Sequence, residues 1–151
     1  MPAPHNPTYP RPGQQKTPRS GAPEPQDFSH IRFGEPLNPG LFDDRACSMA
    51  KKIAENKNCN KGTQLRRFYN ELVLWEARLA RQPEKFTEYL PFIRMLNAKA
   101  AYAKGRNLVD EKFVSLLAHT LKEVEDAKTL TICKLFWEAF TGFYKQERGD
   151  K

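Results

Sequence analysis

Apolar side chains recur at helical spacing along most of the chain after residue 40, which narrows the possible folds more than any other feature. In residues 63–81 the apolar positions are three or four residues apart: Leu65, Phe68, Tyr69, Leu72, Trp75 and Leu79. Residues at this spacing share one face of an α-helix. No segment alternates with the period of two that a half-buried strand requires. The pattern therefore predicts an all-α protein.

The same spacing divides the chain into about five helices. The predicted segments are a first helix that follows Asp43 or Asp44 and runs to about residue 57, then 63–81, 91–104, a fourth that follows Asp110, and 127–146. Asp43 or Asp44 is expected to cap the first helix. Thr63 is expected to cap the second and Asp110 the fourth, because short oxygen-bearing side chains accept hydrogen bonds from the first N–H groups of a helix. Helices of these lengths predict a single-domain bundle.

Pro91 is expected to interrupt the helical pattern in the middle of the chain. A proline inside a helix lacks the backbone N–H, and its ring would clash with the carbonyl of Thr87. We therefore expect a short helical turn that ends at Tyr89 and a new helix from Pro91, with a single kinked helix as the alternative. Gly105 stands where a left-handed residue would end that helix.

The N-terminal part of the chain has a different composition. Ten of the 12 prolines lie within the first 39 residues. A proline-rich segment with few large apolar side chains buries too little surface to offset the entropy lost on ordering. The sequence therefore predicts a largely disordered tail, residues 1–40, before a bundle of residues 41–151. Phe28, Ile31 and Phe33 are candidates for docking onto another surface, which the sequence does not identify.

Several classes of protein are disfavoured. The longest apolar runs are four residues, against the ~18–20 that a transmembrane helix needs, so no membrane partner is expected. Cys47, Cys59 and Cys133 are odd in number and lack metal-binding spacing, which favours a reducing cytoplasm. No phosphate-binding loop or catalytic motif is present, so we predict no catalytic residue, no metal ligand and no cofactor.

The net charge of +7 is concentrated in one half of the predicted bundle. Residues 45–106 carry 14 Lys or Arg and 5 Asp or Glu, a net charge of +9. Residues 107–151 carry 7 and 8, a net charge of −1. Such an uneven distribution favours a polyanionic partner, either a nucleic acid or an acidic protein. A solvated basic face that only aids solubility is the alternative.

Two sets of residues form the candidate nucleic-acid interface. The first set crowds the start of the second predicted helix: Lys61, Gln64, Arg66 and Arg67. Cations gain nothing from the positive end of a helix dipole, so we expect an anion there, bound also by the free N–H groups of Gln64 and Leu65.

The second set lies toward the end of the next helix: Lys99, Lys104 and Arg106. Tyr102 shares a helix face with Lys99 and Arg106. We expect this tyrosine to be partly buried in the core, although stacking on a nucleotide is the alternative. Few aromatic residues alternate with the basic ones, which favours contacts to the phosphate backbone over base stacking.

Three ordered motifs carry a resemblance to a known family. They are GTQLRRFYNEL (62–72), LPFIRMLNAKAAYAKGR (90–106) and FWEAFTGFYK (136–145). Together they resemble the signature blocks of the small subunit of the Csm complex, the type III-A CRISPR effector. The resemblance spans residues 45–146.

The resemblance implies a non-catalytic helical subunit that stacks in several copies as an inner filament. The implied partners are the CRISPR RNA–target RNA duplex, the other Csm subunits and further copies of the chain. By motif match, the implied RNA-contacting residues are Gln64, Arg66, Arg67, Lys99, Lys104 and Arg106. Lys61 is added on the charge argument alone. Tyr69, Tyr102 and Phe140 are expected to hold the fold.

Two other functions remain open at the level of sequence. The first is a helical adaptor whose basic face binds an acidic protein partner. The second is a small enzyme, although no acid–base or metal-binding set is assembled in the sequence.

Overall fold

A computed structural model describes residues 2–4 and 27–149 of the chain. The helices in these residues are α1 (Ala46–Ala54), α2 (Gly62–Arg81), α3 (Phe86–Arg94), α4 (Leu96–Gly105), α5 (Glu111–Lys122) and α6 (Ala127–Arg148). A π-helical turn, Leu41–Arg45, leads into α1, and a 3₁₀ turn, Pro83–Lys85, leads into α3. The described residues contain no strand, so the predicted all-α class is confirmed. Only Met95 separates α3 from α4, and these two helices together cover the predicted short turn and the third predicted helix.

The long helix α6 organises the core. It packs against α1 and α2, and its side chains Phe136 and Phe140 are fully buried. Trp137 of α6 lies between them, edge-to-face with Phe113 of α5 at a ring distance of 5.7 Å. The indole N–H donates to the hydroxyl of the buried Thr120 at 3.0 Å, so this polar group is satisfied inside the core.

The caps of the helices differ in part from the predictions. Asp110 caps α5 as predicted, accepting a hydrogen bond from the Phe113 N–H at 3.1 Å. The prediction for Thr63 is wrong, because Lys61 precedes α2 and no side chain caps that helix. Asp43 and Asp44 do not act as N-caps either, since both lie within the π-helical turn. Asp126 caps α6 in a capping box with Thr129, and these hydrogen bonds lower the pKa of the Asp126 carboxyl.

The predicted break before Pro91 is also wrong, because α3 continues through Pro91 and ends at Arg94. Pro91 and Thr87 are both exposed, so the Thr87 carbonyl that loses its helical partner can reach water. The interruption comes at Met95 instead. Gly105 is the last residue of α4, and the left-handed position is occupied by Asn107, with φ of 59°. Asparagine tolerates this conformation better than most residues.

Residues 27–40 lie against the bundle. Ile31 is 2% exposed and Phe33 is 1% exposed, and Phe28 packs beside the His119 ring. The Ile31 carbonyl is 2.6 Å from the Nε2 atom of His119. The docking predicted for these three residues is confirmed, and the packed chain therefore begins upstream of the boundary predicted at residue 41. Of the predicted tail, residues 1 and 5–26 lie outside the described residues.

The cysteines of the described chain are free thiols. Burial raises the pKa of Cys133 to about 12 and also raises the pKa of Cys59, so both are protonated at neutral pH. Among the described residues, no group of three or more His, Cys, Asp or Glu side chains is placed to hold a metal ion. Within the same residues, no helix has the length and apolar character needed to cross a bilayer.

Candidate nucleic-acid interface

The first half of α2 is flanked by a groove on each side. We call the first the α2–α4 groove, a cavity of about 180 Å³ between α2 and α4. Its polar rim consists of Gln64, Arg67, Glu71, Lys99 and Arg106, together with Tyr102. Its apolar floor is formed by Phe68, Ala103 and Leu108. Four of the seven predicted interface residues, from both predicted sets, therefore lie in one groove.

The charges of the α2–α4 groove are partly paired. The Lys99 ammonium donates to the two carboxylate oxygens of Glu71 at 2.7 and 3.0 Å, which ties α4 to α2 across the groove. Both side chains are partly exposed, so this pair adds little stability. Arg67 is exposed, and the Arg106 guanidinium lies 5.9 Å from the centre of the Tyr102 ring. The groove thus combines three cations with one carboxylate.

Tyr102 does not pack into the core, and this prediction is wrong. Its surface is 68% exposed. The buried face of α4 is formed by Leu96, Ala100 and Ala103, and a residue next to Ala103 is rotated by about 100° from that face. The other two aromatic residues expected to hold the fold do contact the core, with Phe140 fully buried and Tyr69 half-buried.

We call the second groove the α2–α6 groove, a cavity of about 130 Å³ lined by Gly62, Thr63 and Arg66 of α2 and by Lys145 and Arg148 of α6. Phe140 and Tyr144 lie beneath it. The helices are antiparallel, because Thr131 near the start of α6 donates to Glu76 in the second half of α2 at 3.3 Å. This packing brings the last turns of α6 beside the first turn of α2. None of the described residues that line this groove is acidic.

The sequence analysis placed Arg66 in the same interface as Arg67, but the two side chains line different grooves. Adjacent residues of a helix point about 100° apart, which is enough to separate them across α2. Lys145 and Arg148 were missed. Cations are favoured in the last turn of a helix by its dipole, so their positions in the sequence had an ordinary structural explanation.

The first turn of α2 does not offer the backbone donors that were predicted. The Gln64 N–H donates to the Lys61 carbonyl at 2.9 Å, and the Leu65 N–H donates to the same oxygen at 3.2 Å. These hydrogen bonds close the first turn of the helix, so the predicted phosphate site at the N–H groups of Gln64 and Leu65 is wrong.

Two predicted residues line neither groove. Lys61 is exposed just before α2. Lys104 points toward α5, where its ammonium contacts the Glu111 carboxylate and lowers the pKa of that group. The two grooves therefore account for five of the seven predicted residues.

Asn60 supports both grooves from below. It is fully buried and has a left-handed backbone with φ of 61°. Its side-chain oxygen accepts from the Asp110 N–H at 2.9 Å, and its backbone N–H donates to the Leu108 carbonyl at 3.0 Å. The Tyr144 hydroxyl donates to the Asn60 carbonyl. Because Leu108 lines one groove and Tyr144 the other, Asn60 fixes both relative to α2.

The family model described as Csm2 Type III-A matches residues 38–150. The matched region contains all six helices and both grooves. No curated protein and no solved structure matches the chain.

Proposed function

The chain belongs to the Csm2 family and is a small subunit of the type III-A CRISPR effector, the Csm complex, and on this premise we propose that it holds the guide–target RNA duplex by the phosphate backbone, without reading its sequence. Csm2 is a family of structural small subunits. The proposal includes a non-catalytic role within a cytoplasmic complex.

The clustering of Gln64, Arg67, Lys99 and Arg106 in the α2–α4 groove carries the proposal. These residues come from distant segments of the chain, and the fold brings them together by placing α4 across a groove from α2. Pairing between guide and target already supplies the sequence specificity of such complexes. A protein subunit then needs only to follow the phosphates and the A-form shape of the duplex, for which guanidinium and ammonium groups are suited.

The α2–α6 groove supplies a second basic surface on the other side of α2. Arg66 and Lys145 flank it, while Arg148 donates to the carbonyls of Asn56 and Cys59 at 2.9 Å and so also anchors the loop before α2. A backbone that runs across the start of α2 would meet cations on both sides. Contacts of this kind position a nucleic acid but carry no sequence information.

We further propose that copies of the chain stack head to tail. The 22-residue helix α6 is about 33 Å long, with Lys145 and Arg148 near one end. The acidic residues Glu123, Glu125 and Asp126 immediately precede the other end. Opposite charges at the two ends favour a heterologous contact, which repeats as an open filament. Self-association should therefore weaken as the salt concentration rises.

The experiment is the salt dependence of RNA binding by the full chain. Changing Arg66, Arg67 and Arg106 to Ala should make the slope of log Kd against log salt shallower by about 2–3, since each phosphate contact contributes about 0.7–0.9. Fluorescence anisotropy with a perfectly paired RNA duplex measures this slope. The control replaces Lys51, Lys52 and Lys122, which are exposed and line neither groove, and should leave the slope nearly unchanged.

Two results would contradict the RNA-binding proposal. One is an identical slope for the arginine variant and the wild type. The other is binding to an acidic protein with no measurable binding to RNA, which would favour the adaptor function. Circular dichroism shows whether each variant keeps its helices.

A further inference from the structure

The most unusual residue of the α2–α4 groove is an aromatic one. Tyr102 is 68% exposed, although the groove around its ring is otherwise rimmed by charged and amide side chains. Phosphate groups are bound by cations and by N–H and O–H donors, and they gain nothing from the face of an aromatic ring. A tyrosine ring exposed to this extent is instead suited to stacking against another flat group, with a hydroxyl that remains in water.

The remaining surfaces of the groove also differ from those of a simple phosphate site. The floor formed by Phe68, Ala103 and Leu108 is apolar. The Glu71 carboxylate on the rim would repel a phosphate, even though Lys99 partly neutralises it. Glu71 accepts hydrogen bonds, and the Gln64 amide both donates and accepts them. The edge of a nucleobase carries both donors and acceptors, so it is a better chemical match to this rim than a phosphate is.

We propose that the α2–α4 groove receives an unpaired nucleobase, which stacks on Tyr102 while Arg67 and Arg106 contact the neighbouring phosphates. This inference rests on the proposed RNA-binding function and names the part of the RNA that this groove selects. Within a continuous duplex every base is stacked on its neighbours, so the ligand is a base displaced at a bulge, a strand end or a flipped position.

The position of Arg106 supports the same ligand. Its guanidinium lies 5.9 Å from the centre of the Tyr102 ring, in cation–π range. A planar guanidinium can stack on a base and also reach an adjacent phosphate. The same residue thus links the aromatic surface of the groove to its charged rim. The α2–α6 groove has no exposed aromatic ring beside its cations, because its aromatic residues Phe140 and Tyr144 are buried.

The test compares two RNA duplexes of equal length, one fully paired and one with a single unpaired 2-aminopurine. We expect the full-length wild type to bind the second duplex more tightly and to quench its 2-aminopurine fluorescence on stacking. Tyr102→Ala should weaken binding to the second duplex by about 5- to 150-fold, the range that corresponds to the loss of one base–aromatic stack. It should weaken binding to the paired duplex far less, because no unpaired base is present there to lose its stack.

Two further variants separate stacking from a structural role. Tyr102→Phe keeps the ring and should retain the preference for the unpaired base. Phe92→Ala removes an aromatic residue of similar exposure (57%), which lies on α3 outside both grooves and should have no effect. Because a stack neutralises no phosphate, Tyr102→Ala should also leave the salt slope unchanged.

The outcomes distinguish this inference from the function on which it rests. If the wild type binds both duplexes equally, the base site is overturned while backbone binding stands. If the wild type binds neither duplex, the proposed function itself fails. If Tyr102→Ala weakens both duplexes equally, or lowers self-association of the chain instead, Tyr102 contacts backbone or protein and the base site is overturned.

Discussion

The two grooves beside α2 share a helix but differ in chemistry. The α2–α4 groove holds an exposed aromatic ring and an ion pair between Glu71 and Lys99. The α2–α6 groove is lined by Arg66, Lys145 and Arg148, with its aromatic residues beneath the surface. The first offers a flat apolar surface with donors and acceptors around it, whereas the second offers positive charge. One RNA can use both if its phosphates pass the second groove and a base enters the first.

The comparison also shows that a high density of basic residues does not by itself identify a phosphate site. Lys104 and Lys99 were both predicted to contact RNA, yet each is paired with a carboxylate of the same chain. Arg148 donates two hydrogen bonds to backbone carbonyls. The side chains that remain best placed for a phosphate are therefore the arginines at positions 66, 67 and 106.

The largest expected effect comes from the residue that supports both grooves. Asn60→Ala should lower the free energy of unfolding by about 2–3 kcal/mol, because it removes the acceptor of the Asp110 N–H and places alanine in a left-handed conformation. Urea unfolding followed by circular dichroism measures the loss. RNA binding by both grooves should weaken together.

Asn58→Ala is the matched control, since Asn58 is exposed in the same loop. It should change the free energy of unfolding by no more than about 0.5 kcal/mol. If Asn60→Ala weakens RNA binding by one groove and leaves binding by the other unchanged, Asn60 does not support both grooves.

A smaller effect separates the contributions of the two grooves to RNA binding. Arg66→Ala with Lys145→Ala removes cations from the α2–α6 groove, and Arg67→Ala with Arg106→Ala removes them from the α2–α4 groove. Each double variant should reduce the salt slope by about 1.5 on the paired duplex. Only the variant with Arg67→Ala and Arg106→Ala should also reduce the preference for an unpaired base. If either double variant keeps the wild-type slope, that groove does not contact the backbone.

The smallest expected effect comes from the ion pair that distinguishes the α2–α4 groove. Glu71→Gln removes the charge that holds Lys99 and should release this lysine toward a phosphate. RNA affinity should rise and the salt slope should steepen by less than 1, while the free energy of unfolding falls by no more than about 1 kcal/mol. Glu88→Gln, an exposed change on α3, controls for net charge. If Glu71→Gln and Glu88→Gln bind RNA with the same affinity and the same salt slope, Lys99 does not contact RNA.

Much of the fold could be predicted because helical periodicity is a local property. The apolar positions of α2 and α6 lie on one face at a fixed spacing, and the Asp110 cap depends only on the three residues that follow it. Pro91 was misjudged because a proline removes a single hydrogen bond, and an exposed helix face lets water replace it. Ile31 and Phe33 show that two well-placed apolar residues can anchor a segment whose average composition predicts disorder.

Less of the site could be predicted. Arg67 and Arg106 were identified from charge and motif, but the sequence did not show that Arg66 lies on the other side of α2. Tyr102 was assigned to the core because an aromatic residue at helical spacing is usually buried. Asn60 was not singled out from the sequence, since three of its hydrogen-bond partners, Leu108, Asp110 and Tyr144, lie about 50 or more residues away.

Taken alone, the amino-acid sequence determined the helical class, the basic half of the chain and the family motifs, all of which depend on residues close together in the chain. Tertiary structure decided which cations share a groove, which are held by carboxylates, and that the Tyr102 ring faces solvent. These properties depend on how α6 packs against α2 and on where the fold places α4 relative to α2. Two residues with the same local sequence pattern can therefore be buried, paired with a carboxylate or exposed to solvent, depending on which side chains the fold places beside them.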